Sequence, residues 1–178
     1  MKGIIESWCL FFAIEKKKNY IYKIMKATIL ILLFSAATSV SAYTQKNLDK
    51  FIDDWHLAAT QANFNAYFGA MDTTFIFLGT APGERWTKAQ FVAFAKPYFD
   101  KGKAWDFKAT NRVWMYSANK KMAWFDEDLD TWMRGCRGSG ILVKKKGEWK
   151  LVYYNLTVLI ENEKIKEFIE LKDAEIKQ

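Results

Sequence analysis

Histidine, cysteine and proline are scarce in this chain, and each scarcity narrows what it can do. There is one histidine, His56, and only two cysteines, Cys9 and Cys136. A tetrahedral zinc site drawn from several His and Cys ligands therefore has no material, and no metal is expected. Two prolines, Pro82 and Pro97, in 178 residues exclude a proline-rich linker, and no internal repeat is present. Long hydrophobic runs are missing too. The longest candidate, Ala27 to Phe34, is short against the ~20 apolar residues of a membrane span. Ser35, Thr38, Ser39 and Ser41 interrupt its continuation.

What is abundant is apolar and aromatic surface. Hydrophobic residues make up 51% and aromatics 17% of the chain, far from a disordered composition. The length suits one domain with its own core. The net charge of +7 is unevenly placed, because residues 1–42 hold six lysines and two glutamates. The remainder carries 21 basic against 18 acidic groups, which removes the main support for nucleic-acid binding.

The basic N-terminal stretch reads as a secretory leader. Lys16, Lys17, Lys18, Lys23 and Lys26 supply the positive region, residues 27–34 the apolar region, and Val40-Ser41-Ala42 the small residue before cleavage. Met25-Lys26 would itself be an ordinary start, which leaves open that residues 1–24 are a misassigned upstream extension. The expectation is an exported protein, periplasmic or secreted, with no stable membrane anchor once residues 1–42 are removed. Residues 43–178 then form a single domain with Cys136 as its lone thiol, so core packing rather than a disulfide must hold it.

Along that domain, Leu48, Phe51, Ile52, Trp55, Ala58, Ala59 and Ala62 recur at three- and four-residue spacing, an amphipathic helix. Phe64, Tyr67, Phe68 and Met71 continue as a second short helix. Asp72-Thr73-Thr74 reads as a turn and Phe75 to Leu78 as a buried strand. After a turn through Pro82-Gly83, Thr87 caps a third helix that Gly102 ends. Four strands follow, over 105–116, 122–128, 131–143 and 149–160, and Gly135, Gly138 and Gly140 suggest a sharp bend or bulge in the third. A charged tail from about 161, carrying Ile165, Phe168, Ile169 and Leu171, reads as a helix packed on the surface. Helices gathered before a run of hairpins predict an α+β fold: a cone-shaped, curved antiparallel sheet with the N-terminal helices on its concave face. The hollow between them is where a small ligand would bind.

Several segments in this order carry a family resemblance: Trp55-His56-x-Ala58-Ala59, the Phe77–Trp86 junction, residues 96–102, Ala123-Trp124-Phe125-Asp126-Glu127, residues 136–140, and Gly147-Glu148-Trp149-Lys150 leading into Tyr154. Together they resemble the nuclear transport factor 2-like superfamily, and more closely its SnoaL-like branch, over Trp55 to about Asn162. The resemblance implies a cystatin-like cone, frequent homodimers through the sheet and no required cofactor. Members include cyclases, dehydratases and isomerases that use carboxylates and histidine in the cone. This chain departs from the pattern at Ala81, Gly83 and Tyr153, where Asp, Thr and His are expected. The missing Asp and His are the groups best suited to proton transfer near neutral pH.

Candidate residues follow. Asp126 and Glu127 lie on opposite faces of a strand, so at most one points into the cone as a general acid or base. Arg137 would steady an oxyanion, or form an ion pair across the sheet. Cys136 faces away from it and reads as a packing residue. Trp55, His56, Tyr67, Glu84, Trp86, Tyr153 and Asn155 are the candidate ligand-binding set, with Trp86 as a pocket wall. Three readings result: an exported domain binding a small, partly apolar ligand; a cofactor-independent lyase, cyclase or isomerase using a cone carboxylate; and a non-catalytic dimeric interaction module.

Overall fold

The computed structural model describes residues 22–23, 25–26 and 45–176. The apolar run and cleavage motif of the expected leader lie outside the described residues. Two units divide the chain, Met1–Leu48 and Asp49–Gln178, and the second contains the whole sheet.

Helix α1 spans residues 45–60. Ile52, Trp55, Ala58 and Ala59 form its buried stripe, at the expected spacing. Asn63 caps helix α2, Phe64–Gly69, by accepting the Ala66 N–H at 3.1 Å. Strand β1, Met71–Leu78, begins earlier than the sequence pattern predicts. Met71 opens this strand rather than closing the helix, and Asp72-Thr73-Thr74 is strand rather than turn. The triplet nonetheless keeps its turn chemistry. The Asp72 carboxylate accepts the Thr74 N–H at 2.9 Å, a turn-like bond inside the stretch where pairing with the neighbouring strand shifts register.

A short strand that the pattern did not reveal, β2 (Arg85–Thr87), pairs antiparallel with the end of β1. Thr87 then caps helix α3, Lys88–Asp100, in a capping box with Gln90. Pro97 lies inside this helix, and Gly102, at φ +76°, stands just past its end. Strands β3 (Lys108–Tyr116), β4 (Met122–Thr131), β5 (Arg134–Lys145) and β6 (Glu148–Val158) complete a six-stranded sheet in the order β2-β1-β6-β5-β4-β3. All neighbours are antiparallel except β1 and β6, which run parallel. The architecture is α+β, with the N-terminal helices on one face of a mostly antiparallel sheet.

Strict alternation sorts the strands into two faces. Ala123, Phe125, Glu127 and Leu129 of β4 point toward the helices, as do Tyr154 and Leu156 of β6. There the Trp55 ring stacks on Tyr67 at 5.0 Å and meets Tyr154 edge-on at 4.8 Å, while Phe91 of α3 stacks on Phe77 of β1 at 4.2 Å. Burying a large aromatic contributes about 2–3 kcal/mol, so this cluster is the main cohesive element. Two of the β5 glycines, Gly138 and Gly140, are spacers, and pairing with β6 shifts register just beyond Gly140, between Ile141 and Leu142. A Cβ at Gly140 would strike the Phe125 ring, and one at Gly138 would strike the Tyr154 hydroxyl. The tail does form a helix, α4 (Ile165–Ile176), but Ile165, Phe168, Ile169 and Leu171 are all exposed, so it is not packed down as expected.

Candidate functional site

Two polar or ligand-sized features stand out on the helix-facing side of the sheet. The first is built around Glu127 at the middle of β4, 1% exposed. Register places Arg112 of β3 on one side of it and Gly138 of β5 on the other. Because Gly138 has no side chain, Tyr154 on β6 reaches across and donates its hydroxyl to Glu127 Oε1 at 2.7 Å. His56 from α1 bonds the same oxygen through Nε2 at 2.8 Å. An ionised carboxylate only accepts, so the His56 proton in this contact sits on Nε2. Arg112 Nε donates to Oε2 at 2.9 Å, and its Nη2 lies 2.8 Å from the same atom. The guanidinium also reaches Asp53 at 2.9 Å and Asp49 at 3.3 Å. Trp114 Nε1 donates to Asp49 at 2.7 Å.

The electrostatics follow from these contacts. Burial alone would push the Glu127 carboxyl up, but the bonds from His56, the charge of Arg112 and the Tyr154 hydroxyl outweigh it and hold the group below its ordinary range. Burial, the Glu127 charge and the bond to Glu127 push the Tyr154 hydroxyl well above its ordinary range. Desolvation would lower Arg112, yet the Glu127 and Asp53 charges leave it raised. Glu127 is thus a locked anion with both oxygens occupied, a poor starting point for proton transfer to a ligand.

The second feature lies at the Phe77–Trp86 junction. A cleft of about 160 Å³ opens between this junction, α3 and the β4–β5 hairpin tip. Phe77, Trp86, Phe91, Phe94 and Trp105 form its wall, facing Trp132 and Met133. The wall is a continuous stack, with Trp86 against Phe94 at 4.4 Å and Phe91 against Trp105 at 5.8 Å. Among the described residues, Glu84 is the one carboxylate or cationic group lining it. Its position is set by the loop, since Oε2 accepts the Ala81 N–H at 2.9 Å and the carboxylate lies against Gly79. Trp132 was expected within a strand. Instead it occupies the hairpin turn, 81% exposed, because Thr131 Oγ1 holds the turn through Met133 N–H and the Arg134 carbonyl. A shallower groove of about 500 Å³ touches His56 together with Asp53, Thr60 and Lys108.

The candidates from sequence separate accordingly. Glu84 and Trp86 line the cleft. His56 and Glu127 meet in the buried network, His56 as part of the buried stripe of α1 because Glu127 sits opposite it. Trp55 and Tyr67 are 2% and 1% exposed and cover each other, filling the deep part of the cone. Burial pushes the Tyr67 hydroxyl far up, and the buried Trp55 Nε1 has no hydrogen-bond partner among the described residues. Asp126, Arg137, Tyr153 and Asn155 lie on the opposite face of the sheet, away from Glu127. Asp126 faces Ser139, which faces Asn155, and Ile141 faces Tyr153. Arg137 pairs there with Asp128 at 3.4 Å, the cross-strand ion pair that was its structural alternative. Arg112 and Tyr154 were missed. The available signal was Arg112-x-Trp114-x-Tyr116, one strand face placing a cation among aromatics. Among the described residues, no three His, Cys, Asp or Glu side chains converge as a metal site.

The sequence model of the SnoaL-like domain matches residues 48–161. A search of curated proteins returns no match. Among solved structures, a domain of unknown function with a cystatin-like fold from Nostoc punctiforme superposes with a TM-score of 0.57 at 15% identity, over 73% of this chain and 85% of that one. An NTF2-like protein of unknown function from Pseudomonas putida gives 0.56 at 8% identity, over 68% and 91%. The association domain of C. elegans CaMKII gives 0.53 at 17% identity, over 65% and 95%. At these identities the likeness is one of fold.

Proposed function

From the premise that the chain belongs to the SnoaL-like domain family, we propose that it is an exported protein holding a small, largely apolar ligand in the cleft beneath the Phe77–Trp86 junction. The observation that carries this reading is the contrast between the two features. The cleft is open and walled by aromatic rings, whereas the buried carboxylate is enclosed and already bonded to His56, Tyr154 and Arg112. A single ring buried against such a wall removes roughly 150 Å² from water, worth about 4 kcal/mol. That gross gain matches a millimolar Kd only before the cost of association, so one-ring ligands would bind more weakly than millimolar and larger ones more tightly.

The test is a titration with N-phenyl-1-naphthylamine, a neutral fluorophore that brightens in apolar surroundings. The wild-type chain should give saturable enhancement. Trp132→Ser and Phe94→Ser, at positions 81% and 42% exposed, should weaken it at least severalfold, with far-UV circular dichroism checking that each variant is folded. Absence of saturable binding, or two variants that bind like wild type, would refute the cleft as the site.

Acid–base chemistry is the second reading, favoured by one observation: His56 bridges Glu127 and the open groove beside Asp53 and Lys108. A homodimer through the sheet is part of the proposal as well. The face away from the helices presents Ile76, Met115, Trp124, Ile141 and Tyr153, each half-buried, and Val113, 49% exposed. Apolar area of that extent suits a partner surface.

A further inference from the structure

We propose that the cleft selects a cation: a small organic molecule carrying a substituted ammonium head, with its apolar part against the ring wall. The inference rests on the cleft being the ligand site and specifies the chemical class that site prefers.

Two local electrostatic terms point the same way. Among the described residues, Glu84 supplies the only formal charge on the cleft lining, and it is negative. Among the described residues, no Lys, Arg or His pairs with it. The anion is half-buried beside aromatic rings and held by the loop through Ala81 N–H, so it is fixed in place without being neutralised. The second term is the rings themselves. Phe77, Trp86, Phe91 and Trp105 run nearly parallel, their successive interplanar angles being 12°, 15° and 27°. A group that continues this stack meets a ring face, the negative pole of the aromatic quadrupole.

Anions are opposed by both terms, and a neutral ligand gains from neither charge. A cation gains from both. The overall charge of the chain is positive and would not draw a cation in from a distance. The preference must therefore come from contact with Glu84 and the rings. A substituted ammonium suits this better than an inorganic ion, because its alkyl shell costs less to dehydrate and spreads its charge over the ring faces.

The experiment compares two near-isosteric probes, phenyltrimethylammonium and tert-butylbenzene, as displacers of N-phenyl-1-naphthylamine from the full chain. The expected result is displacement by the cation at a concentration lower by on the order of tenfold. That advantage should shrink between about 0.02 and 0.5 M NaCl, with the hydrocarbon not losing affinity in the same way. Glu84→Gln, which keeps an acceptor for Ala81 N–H, should reduce the advantage to about twofold. Equal displacement by both probes, or a preference for the hydrocarbon, overturns the cation inference and leaves the cleft as the site. An advantage that Glu84→Gln leaves intact overturns the role of Glu84. A fluorophore that does not bind at all overturns the cleft reading itself. Should Glu84→Gln not fold, the wild-type probe comparison and its salt dependence decide the question alone.

Discussion

Replacing Glu127 by glutamine tests whether the buried network is a structural brace or a reserve of reactivity. The substitution preserves shape and removes one charge. Glutamine offers one acceptor oxygen and two amide protons. With the oxygen toward Arg112, the amide faces the Tyr154 hydroxyl and His56 Nε2. Tyr154 can rotate to accept, and His56 can accept by moving its proton to Nδ1, so most polar groups find partners again. What is lost is the charge beside Arg112, whose side chain is 6% exposed. Removing one member of a buried ion pair costs about 3–5 kcal/mol. Arg112 keeps Asp53 at 2.9 Å and Asp49 at 3.3 Å, which argues for the lower end, about 3 kcal/mol. For a domain of this size that is a fall of roughly 10 °C in melting temperature. Urea denaturation followed by far-UV circular dichroism measures it, with an unchanged m-value as the sign that the unfolded state is unaffected. The reasoning fails if Glu127→Gln loses less than about 1 kcal/mol or gains stability. A group whose removal relieves the fold is the pattern expected of an active site, and the acid–base reading would then take precedence.

Gly138→Ala should cost about 1–3 kcal/mol, since its Cβ would lie 3.0 Å from Glu127 Cγ and closer still to the Tyr154 hydroxyl. Gly135→Ala, with nothing within 4 Å, should stay within about 0.5 kcal/mol of wild type in the same urea titration. Stability should fall off at both pH extremes. Glu127 is held low, as is Asp72 through Lys145 and Thr74, so their contribution is present above the ordinary carboxylate range near pH 4 and lost as pH drops below it. Tyr67 and Tyr154 are held high; their contribution is complete below about pH 10 and lost as pH rises beyond it. Melting temperatures that stay flat from about pH 4 down to 2, or from about 10 up to 12, would contradict these assignments. Val113→Glu, on the exposed face of the sheet, should shift sedimentation toward monomer at micromolar protein, and an unaltered dimer would place any interface elsewhere.

Why the architecture was readable is clear from its strongest patterns. Helix α1 and the capping box at Thr87 and Gln90 are local, and each is written within a few neighbouring residues. The misreadings occur where a distant contact decides. Arg85–Thr87 carries no strand signature of its own and becomes a strand because β1 lies beside it. The Asp72-Thr73-Thr74 triplet has turn chemistry and does make the turn-like bond, yet β1 pairs with β6 on either side of it, at Met71 and again from Ile76, so the triplet is carried within the strand as an irregularity. Gly138 and Gly140 look like bend signals in one dimension. Across the sheet they are the openings through which Tyr154 and Phe125 pass.

The same distinction explains the site. Alternation established that Asp126 and Glu127 oppose each other, but not which of them faces in, since phase depends on a partner strand. On β6 the ambiguity selected Tyr153 where Tyr154 is the inward residue. Pairing of β5 with β6 shifts between Ile141 and Leu142, and such a one-residue shift exchanges the faces. Arg112 reaches Glu127 from 15 residues away and Asp53 from 59, separations over which no pattern in the chain speaks. Part of the cleft lining was legible because Phe77, Glu84 and Trp86 fall in one local stretch with α3 directly after it, whereas Trp105, Trp132 and Met133 join it only through the fold. A ligand that contacts this stretch would touch groups positioned by short-range turns and capping, whereas the network is positioned by the whole sheet. In the proposed reading, ligand selectivity would therefore change through Glu84 or Trp132 with little effect on folding, and any change at Glu127 would be felt by the fold first.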